Sequence, residues 1–324
     1  MAEHTIHFDN AREAQDVTGA RGEYLAAMDE AFGVKAISRD LWLKIEGDGA
    51  KVESAATFVE GLLRARNAGM LLNRHTVEYA RTAFATGRGA DLDRLAGLRI
   101  DVASGRPPVF PRTFGQAEFL ETIRRSELTF GLGPAGTGKT WLAMAMAVSA
   151  LLKNEVSRII LTRPAVEAGE ALGFLPGDLQ QKILPYLRPL YDALNEMMPA
   201  EEVAGHVERG VIEVAPLAYM RGRTLNRAFV ILDEAQNTTR EQMLMFLTRL
   251  GFGSKAVVNG DLTQVDLPPH KMPGLLEAEF LLRKVTGVGV VRLTAADVVR
   301  HPLVQRIIDA YKGRERVPGN GGPG

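Results

Sequence analysis

The stretch that most constrains this chain is Gly133-Pro134-Ala135-Gly136-Thr137-Gly138-Lys139-Thr140, a G-x-x-x-x-G-K-T run. A short apolar segment, Leu128 to Leu132, precedes it, and an Ala-, Met- and Leu-rich segment, Trp141 to Leu152, follows. Strand, glycine loop and helix in that order form a phosphate cradle. The glycines let the backbone curl with its N–H groups inward, and the helix adds the positive end of its dipole. In such a cradle Lys139 reaches the β- and γ-phosphates, and the Thr140 hydroxyl ligates Mg²⁺. The run therefore points to an α/β fold that binds a nucleoside triphosphate.

Composition narrows the setting. A chain of 324 residues has room for about two domains. No apolar run approaches the roughly 20 residues of a membrane span, so no membrane role is expected. The first ten residues carry charges and no apolar core, unlike a secretory signal. Absence of cysteine excludes disulfides and thiolate metal ligands and fits a reducing, cytoplasmic setting. Basic and acidic residues balance at 39 each, so any nucleic acid must be held by a local patch.

Residues 1–87 read as a small α+β module. Thr5 to Phe8 predicts a strand, Ala11 to Phe32 mostly helix, and Val34–Ser38 with Leu41–Glu46 a hairpin. Helices are predicted from Val52 to Ala68 and Thr76 to Thr86. Within the first helical region sits Gly19-Ala20-Arg21-Gly22, a G-x-x-G loop. It reads either as a simple helix break or as the clamp by which KH modules hold a nucleic-acid backbone, with Gly19, Arg21 and Gly22 at the RNA. Residues 88–111, rich in Gly and Pro, predict a linker holding a short strand at Ile100–Val102. The segment 112–312 alternates strand and helix, which predicts a parallel sheet covered on both faces. Its strands are expected at Arg158–Thr162, Ile212–Val214, Phe229–Leu232, Ala256–Val258 and Val288–Leu293. Helices are expected at Val166–Leu172 and at Leu179–Met198, the latter interrupted by Pro185 and Pro189. Residues 313–324 predict a disordered tail.

Phe229-Val230-Ile231-Leu232-Asp233-Glu234 places two carboxylates at the end of a buried strand, where open α/β sheets bind ligands. Asp233 is expected to hold Mg²⁺ through water, and Glu234 to orient or deprotonate an attacking water. The alternative is an acidic cap on the next helix. In Asn259-Gly260-Asp261-Leu262-Thr263-Gln264, the Gln264 amide is placed to touch both a γ-phosphate and that water. Arg163, Arg221, Arg223 and Arg300 suit phosphate oxygens or RNA, or serve as surface ion-pair partners. Gln116 is a candidate to read the adenine edge. The histidines are scattered, with His4 and His7 in a terminus expected to be flexible, and no metal cluster is expected.

Beyond these residues, long stretches of the chain resemble the PhoH-like ATPases. They are Gly133–Thr140, Leu161–Gly169, Gly173–Asp178, Pro185–Leu194, Ala215–Leu225, Asp233–Thr239, Gly260–Gln264 and Asp297–His301. The first segment resembles the KH-like module of the longer bacterial members. The resemblance implies a RecA-like P-loop core akin to the first motor domain of superfamily 1 helicases, binding ATP and Mg²⁺. It implies work on RNA and a partnership with a ribosome-maturation endoribonuclease. Two departures bear on substrate coupling. Asn259 stands where Thr is usual, and Lys271-Met272-Pro273-Gly274 replaces basic-x-Ser-Gly.

Helicases of that class close ATP between two motor domains, and residues after Gly133 suffice for one. A neighbouring subunit is therefore expected to complete the site in a ring-like homo-oligomer, a hexamer among the candidates. Arg300 is the first candidate for the group acting across that boundary.

Overall fold

The computed structural model describes residues 1–85, 90–164, 179–268, 271–300 and 302–312. The expected helix at 166–172 and the tail from 313 lie outside them.

The N-terminal unit runs β1 (Ala2–His7), α1 (Ala11–Thr18), α2 (Glu23–Phe32), β2 (Lys35–Arg39), β3 (Trp42–Gly47) and α3 (Gly49–Asn67). Its strands form an antiparallel sheet in the order β1-β3-β2. Period-two alternation buries Leu43 and Ile45 against α3. His4 and His7 are thus strand residues paired with Ile45 and Trp42, not part of a loose end. The helical stretch breaks at the G-x-x-G loop, as the helix-break reading expects, where Gly19 and Gly22 take φ of 87° and 71°, values that suit glycine and turn the chain between α1 and α2. Phe58 of α3 anchors this core, its ring 5.3 Å from both Phe32 and Phe84. Two further helices, α4 (Arg74–Ala85) and α5 (Ala90–Gly97), pack on α3. Part of the segment read as a linker is therefore helix. Leu92 and Leu95 of α5 are buried in the same core, and the short strand expected at 100–102 is a single bridge, Ile100 to Val109.

The larger unit is the RecA-like α/β architecture. It holds α6 (Phe114–Arg125), β4 (Leu128–Leu132), α7 (Lys139–Leu152), β5 (Arg158–Arg163), α8 (Leu179–Met197), α9 (Ala200–Glu208) and β6 (Ile212–Pro216). It continues with β7 (Ala228–Leu232), α10 (Arg240–Leu247), β8 (Lys255–Gly260), α11 (Gly274–Leu282), β9 (Val288–Arg292) and α12 (Pro302–Lys312). All neighbours in the six-stranded order β6-β5-β7-β8-β4-β9 are parallel. Every residue of β4 and β7 is buried, as strands covered on both faces require. One core lies under α6, α7 and α8 with Phe119, Leu161, Ile231 and Val257, and the other lies under α10 and α11 with Phe130, Ile160, Leu232 and Val258. Helix α8 runs unbroken through Pro185 and Pro189, against expectation. Each proline forfeits one backbone bond, and the buried Leu187, Leu190, Leu194 and Met197 hold the helix on the sheet. The connections from β4 and β7 leave the sheet at the same carboxyl edge, beside each other across β8. This brings the glycine loop and the paired carboxylates together.

Candidate active site

The loop between β4 and α7 adopts the curl that its glycines permit. Gly133, Gly136 and Gly138 have φ of 150°, 85° and 78°. At Gly133 a Cβ would fall on the Leu293 carbonyl, where the backbone leaves no room, and at Gly136 it would displace the Arg300 guanidinium. The Thr137 hydroxyl donates to the Pro134 carbonyl at 2.9 Å, closing the curl from inside. Lys139 Nζ donates to the Gly133 and Pro134 carbonyls at 2.6 and 2.9 Å and to Thr137 Oγ1 at 3.3 Å. Burial pulls the Lys139 pKa below the ordinary lysine value, opposed by the nearby Asp261, Asp233 and Glu234 carboxylates. An ammonium held this way has exchanged water for protein carbonyls, and an incoming phosphate offers it a better partner.

Thr140 opens α7, and its hydroxyl donates to Asp233 Oδ1 at 2.6 Å, 93 residues along the chain. Asp233 is 3% exposed. Its second oxygen accepts from Arg163 Nε at 2.9 Å and from Nη2. Two hard oxygen donors meet here beneath a phosphate loop, which fits Mg²⁺. Among the described residues no group of three or more His, Cys, Asp or Glu could hold a metal alone. A cation at this place would lean on phosphate oxygens and water, as Mg²⁺ characteristically does.

Glu234 takes φ of 53°, a left-handed conformation uncommon outside glycine. The turn throws its half-exposed carboxylate into the cleft, where Oε2 accepts from Gln236 Nε2 at 2.6 Å. Arg163 Nη2 stands 3.9 Å from the other oxygen. Gln236 is the hub that the sequence reading passed over. Its carbonyl accepts from Asp261 N at 3.0 Å, and its amide also reaches the Gln264 carbonyl at 3.2 Å. Asp261 in turn accepts from Ala135 N at 3.0 Å, tying the β8 loop to the glycine loop. Gln264 is exposed at the cleft mouth. The cleft measures about 270 Å³ and is lined by Lys139, Thr140, Asp233, Glu234, Asn259 and Gln264 among others.

Other expected site residues fall differently. Gln116 is buried, its Nε2 donating to the Thr137 carbonyl at 3.1 Å and its Oε1 accepting from Arg112 N at 2.7 Å. In this arrangement it braces the loop, beside a second cavity lined by Phe110, Arg112 and Trp141. Arg300, expected to act on a neighbour, lies on its own loop, with Nη2 donating to the Ala135 carbonyl at 2.6 Å. The strap is fixed by Val299 N on the Gly136 carbonyl and by the buried Asp297, which accepts from Thr113 Oγ1 at 2.6 Å. This anchoring gives Asp297 a structural role within the stretch Asp297–His301. Arg163, offered for phosphate or RNA, pairs with Asp233 instead. Arg223 is in a bidentate ion pair with Glu213, at 2.5 and 2.7 Å. Arg221 is exposed near the carboxyl end of β6.

The G-x-x-G loop stands apart from this cleft, between α1 and α2, with Arg21 exposed. The Glu23 carboxylate accepts from Arg21 N at 2.8 Å. Backbone amides at Arg21 and Glu23 hold its pKa below the ordinary glutamate value. An RNA phosphate approaching these amides would meet that carboxylate first.

Comparison with known proteins agrees with the geometry. The family model described as PhoH-like protein matches residues 108–312. A PhoH-like protein of Bacillus subtilis is 44% identical over 315 residues, covering 96% of this chain and 99% of the relative. A PhoH-like protein of Mycobacterium tuberculosis is 49% identical over 304 residues, 94% of this chain and 86% of the relative. Protein PhoH of Escherichia coli is 48% identical over 206 residues, 63% of this chain and 58% of that protein.

Proposed function

Because the chain belongs to the PhoH-like protein family, we propose that it is a Mg²⁺-dependent ATPase that remodels or unwinds RNA. The observation that carries the reading is the 2.6 Å bond from Thr140 of the glycine loop to Asp233, with Glu234 next in sequence and turned into the same cleft. A loop alone supports nucleotide binding, whereas a loop with a second carboxylate beside the metal position supports hydrolysis.

The chain's own groups divide the work. Backbone N–H groups of 136–140 and Lys139 would hold the triphosphate. Thr140 and Asp233 would hold the cation, which when bound would neutralise charge on the phosphates. Glu234 orients the attacking water and accepts its proton, with Gln236 holding the carboxylate in position. Gln264, on the loop that Asp261 ties to the glycine loop, reports whether the terminal phosphate is present. Arg163, paired with Asp233, must keep or exchange that partner as the cation arrives, so it links the end of β5 to the metal position.

The RNA part rests on two features. One is the carboxyl edge of the sheet with Arg221 exposed. The other is the β-α-α-β-β-α order of the first unit, with a G-x-x-G loop joining its first two helices as in KH modules. Among the described residues no helix is long and apolar enough to cross a membrane, and we place the work in the cytoplasm. A second copy of the chain, in a ring, would complete the cleft. Arg300, the first candidate to act across that boundary, bonds the Ala135 carbonyl of its own glycine loop in the single chain. A ribosome-maturation endoribonuclease is the proposed partner.

The test is ATP turnover with and without single-stranded RNA at low and high salt. RNA is expected to raise the rate several-fold near 50 mM salt and to lose most of that effect by about 200 mM, as counterion release dictates. A rate indifferent to RNA at low salt would remove RNA from the reading. A second reading, a nucleotide-controlled RNA-binding module with little turnover, gains if the wild type binds ATP yet is as inert as Glu234→Gln.

A further inference from the structure

Asn259, the last residue but one of β8, pairs in register with Gly131 of β4 and lies one step beyond the Val258–Leu232 pair of β7. Val257 packs in the core under α6, α7 and α8, whereas Val258 packs in the opposite core. Alternation therefore sends the Asn259 side chain to the α7 face, level with Asp233 and beneath Lys139 and Thr140. It lines the same cleft as these three. Asn259 is 0% exposed, and among the described residues neither Nδ2 nor Oδ1 has a hydrogen-bond partner. The Thr162 hydroxyl is also unpaired, but Leu161 packs under α7, so Thr162 faces the other way.

A buried amide with both ends unpaired is costly, and native structures keep such groups for a reason. Packing does not demand an amide here, since the three residues before it, Ala256, Val257 and Val258, are apolar and buried. The neighbouring strand makes room for it. A Cβ on Gly131 would lie 2.7 Å from Asn259 Oδ1 and 2.6 Å from the Phe119 ring. Thus an uncompensated donor is held rigidly at the floor of the proposed nucleotide cleft, beside the carboxylate that would hold the cation.

We infer that Asn259 is a positioning residue for the metal–triphosphate unit. Its Nδ2–H donates to an oxygen of that unit, either a terminal phosphate oxygen or a water hydrating the cation, and ligand binding completes a hydrogen bond that the protein leaves open. The inference rests on the nucleotide reading of the cleft and adds a residue to it. Threonine at this position could make the same bond through its hydroxyl.

The experiment is calorimetric titration of the full chain with ADP and with a non-hydrolysable ATP analogue, each with Mg²⁺ and with EDTA. It uses the wild type, Asn259→Ala and Asn259→Thr, with melting temperatures of the unliganded proteins alongside. Asn259→Ala is expected to weaken binding of the Mg²⁺–analogue pair about tenfold, the contribution of one charge-assisted hydrogen bond. It should leave the unliganded melting temperature unchanged or higher, because an unpaired amide has been removed. Asn259→Thr should recover most of the affinity. Weakening with the analogue but not with ADP, regardless of Mg²⁺, assigns the bond to the terminal phosphate. Weakening only with Mg²⁺ assigns it to the hydrating water. Wild-type affinity in Asn259→Ala overturns the inference, and so does a uniform loss for every ligand with a lower melting temperature. If the wild type itself binds neither nucleotide, the reading of the cleft fails and takes this inference with it.

Discussion

Replacing Glu234 with glutamine is expected to slow ATP hydrolysis by about 100-fold or more while leaving ATP affinity within about threefold. The substitution keeps the shape and the partner. Gln236 bonds Glu234 Oε2 at 2.6 Å, and an amide oxygen can accept the same bond. What is lost is the base. A neutral amide cannot take the proton of an attacking water, so the barrier rises while the loop, Lys139 and the cation position remain. Steady-state phosphate release and equilibrium binding of a fluorescent ATP analogue separate the two effects. Equal loss of affinity and rate would mean that Glu234 holds the nucleotide rather than activating water. The left-handed backbone at Glu234 makes a further distinction. Glutamine tolerates it about as well as glutamate, so the melting temperature should stay within about 2 °C of wild type.

Asp233→Ala is expected to have the largest effect on stability of any substitution in the cleft. Asp233 is buried, accepts from Thr140, and is the partner of an Arg163 whose side chain is 16% exposed. Removing Asp233 takes a close, buried carboxylate away from a mostly buried guanidinium, at a cost of about 3 kcal/mol. For a domain of this size that lowers the melting temperature by about 6 °C or more. Asp233→Asn keeps an acceptor for Thr140 and should lose less. The double variant Asp233→Ala with Arg163→Met should recover part of the loss, because the buried guanidinium that lost its closest carboxylate is gone as well. Neither protein should show a Mg²⁺-dependent gain in ATP affinity. Calorimetric unfolding of the single and double variants measures the coupling. A double variant less stable than Asp233→Ala alone would show that Arg163 stabilises the fold by packing rather than by its charge.

Local constraint explains what could be read from residues alone. The glycine loop was legible because a phosphate cradle needs glycine at particular positions of one short segment. Asp233 and Glu234 were legible because an acid after four apolar strand residues has few other uses. The parallel sheet followed from short apolar runs alternating with helical stretches. Long-range pairing was not legible. Nothing near Arg163 marks it as the partner of an aspartate 70 residues on. Gln236 looked like an ordinary polar residue until the fold set it between Glu234 and Asp261. Nothing in sequence around Arg300 shows that it bonds the Ala135 carbonyl 165 residues back, beside the Asp297 anchor. Helix α5 was masked by the Gly- and Pro-rich stretches on either side of it. Helix α8 passes through two prolines because its buried leucines outweigh the backbone bonds it forgoes.

The most direct measurement of the central claim, that this cleft hydrolyses a nucleoside triphosphate, is single-turnover phosphate release with the protein in excess over labelled ATP. It needs neither RNA nor a partner to bring about repeated turnover. The account predicts release of phosphate with Mg²⁺, none above background with EDTA, and none from Lys139→Ala, whose loop has lost the ammonium that meets the phosphates. Tight ATP binding without any Mg²⁺-dependent release, or equal release by Lys139→Ala, would contradict it.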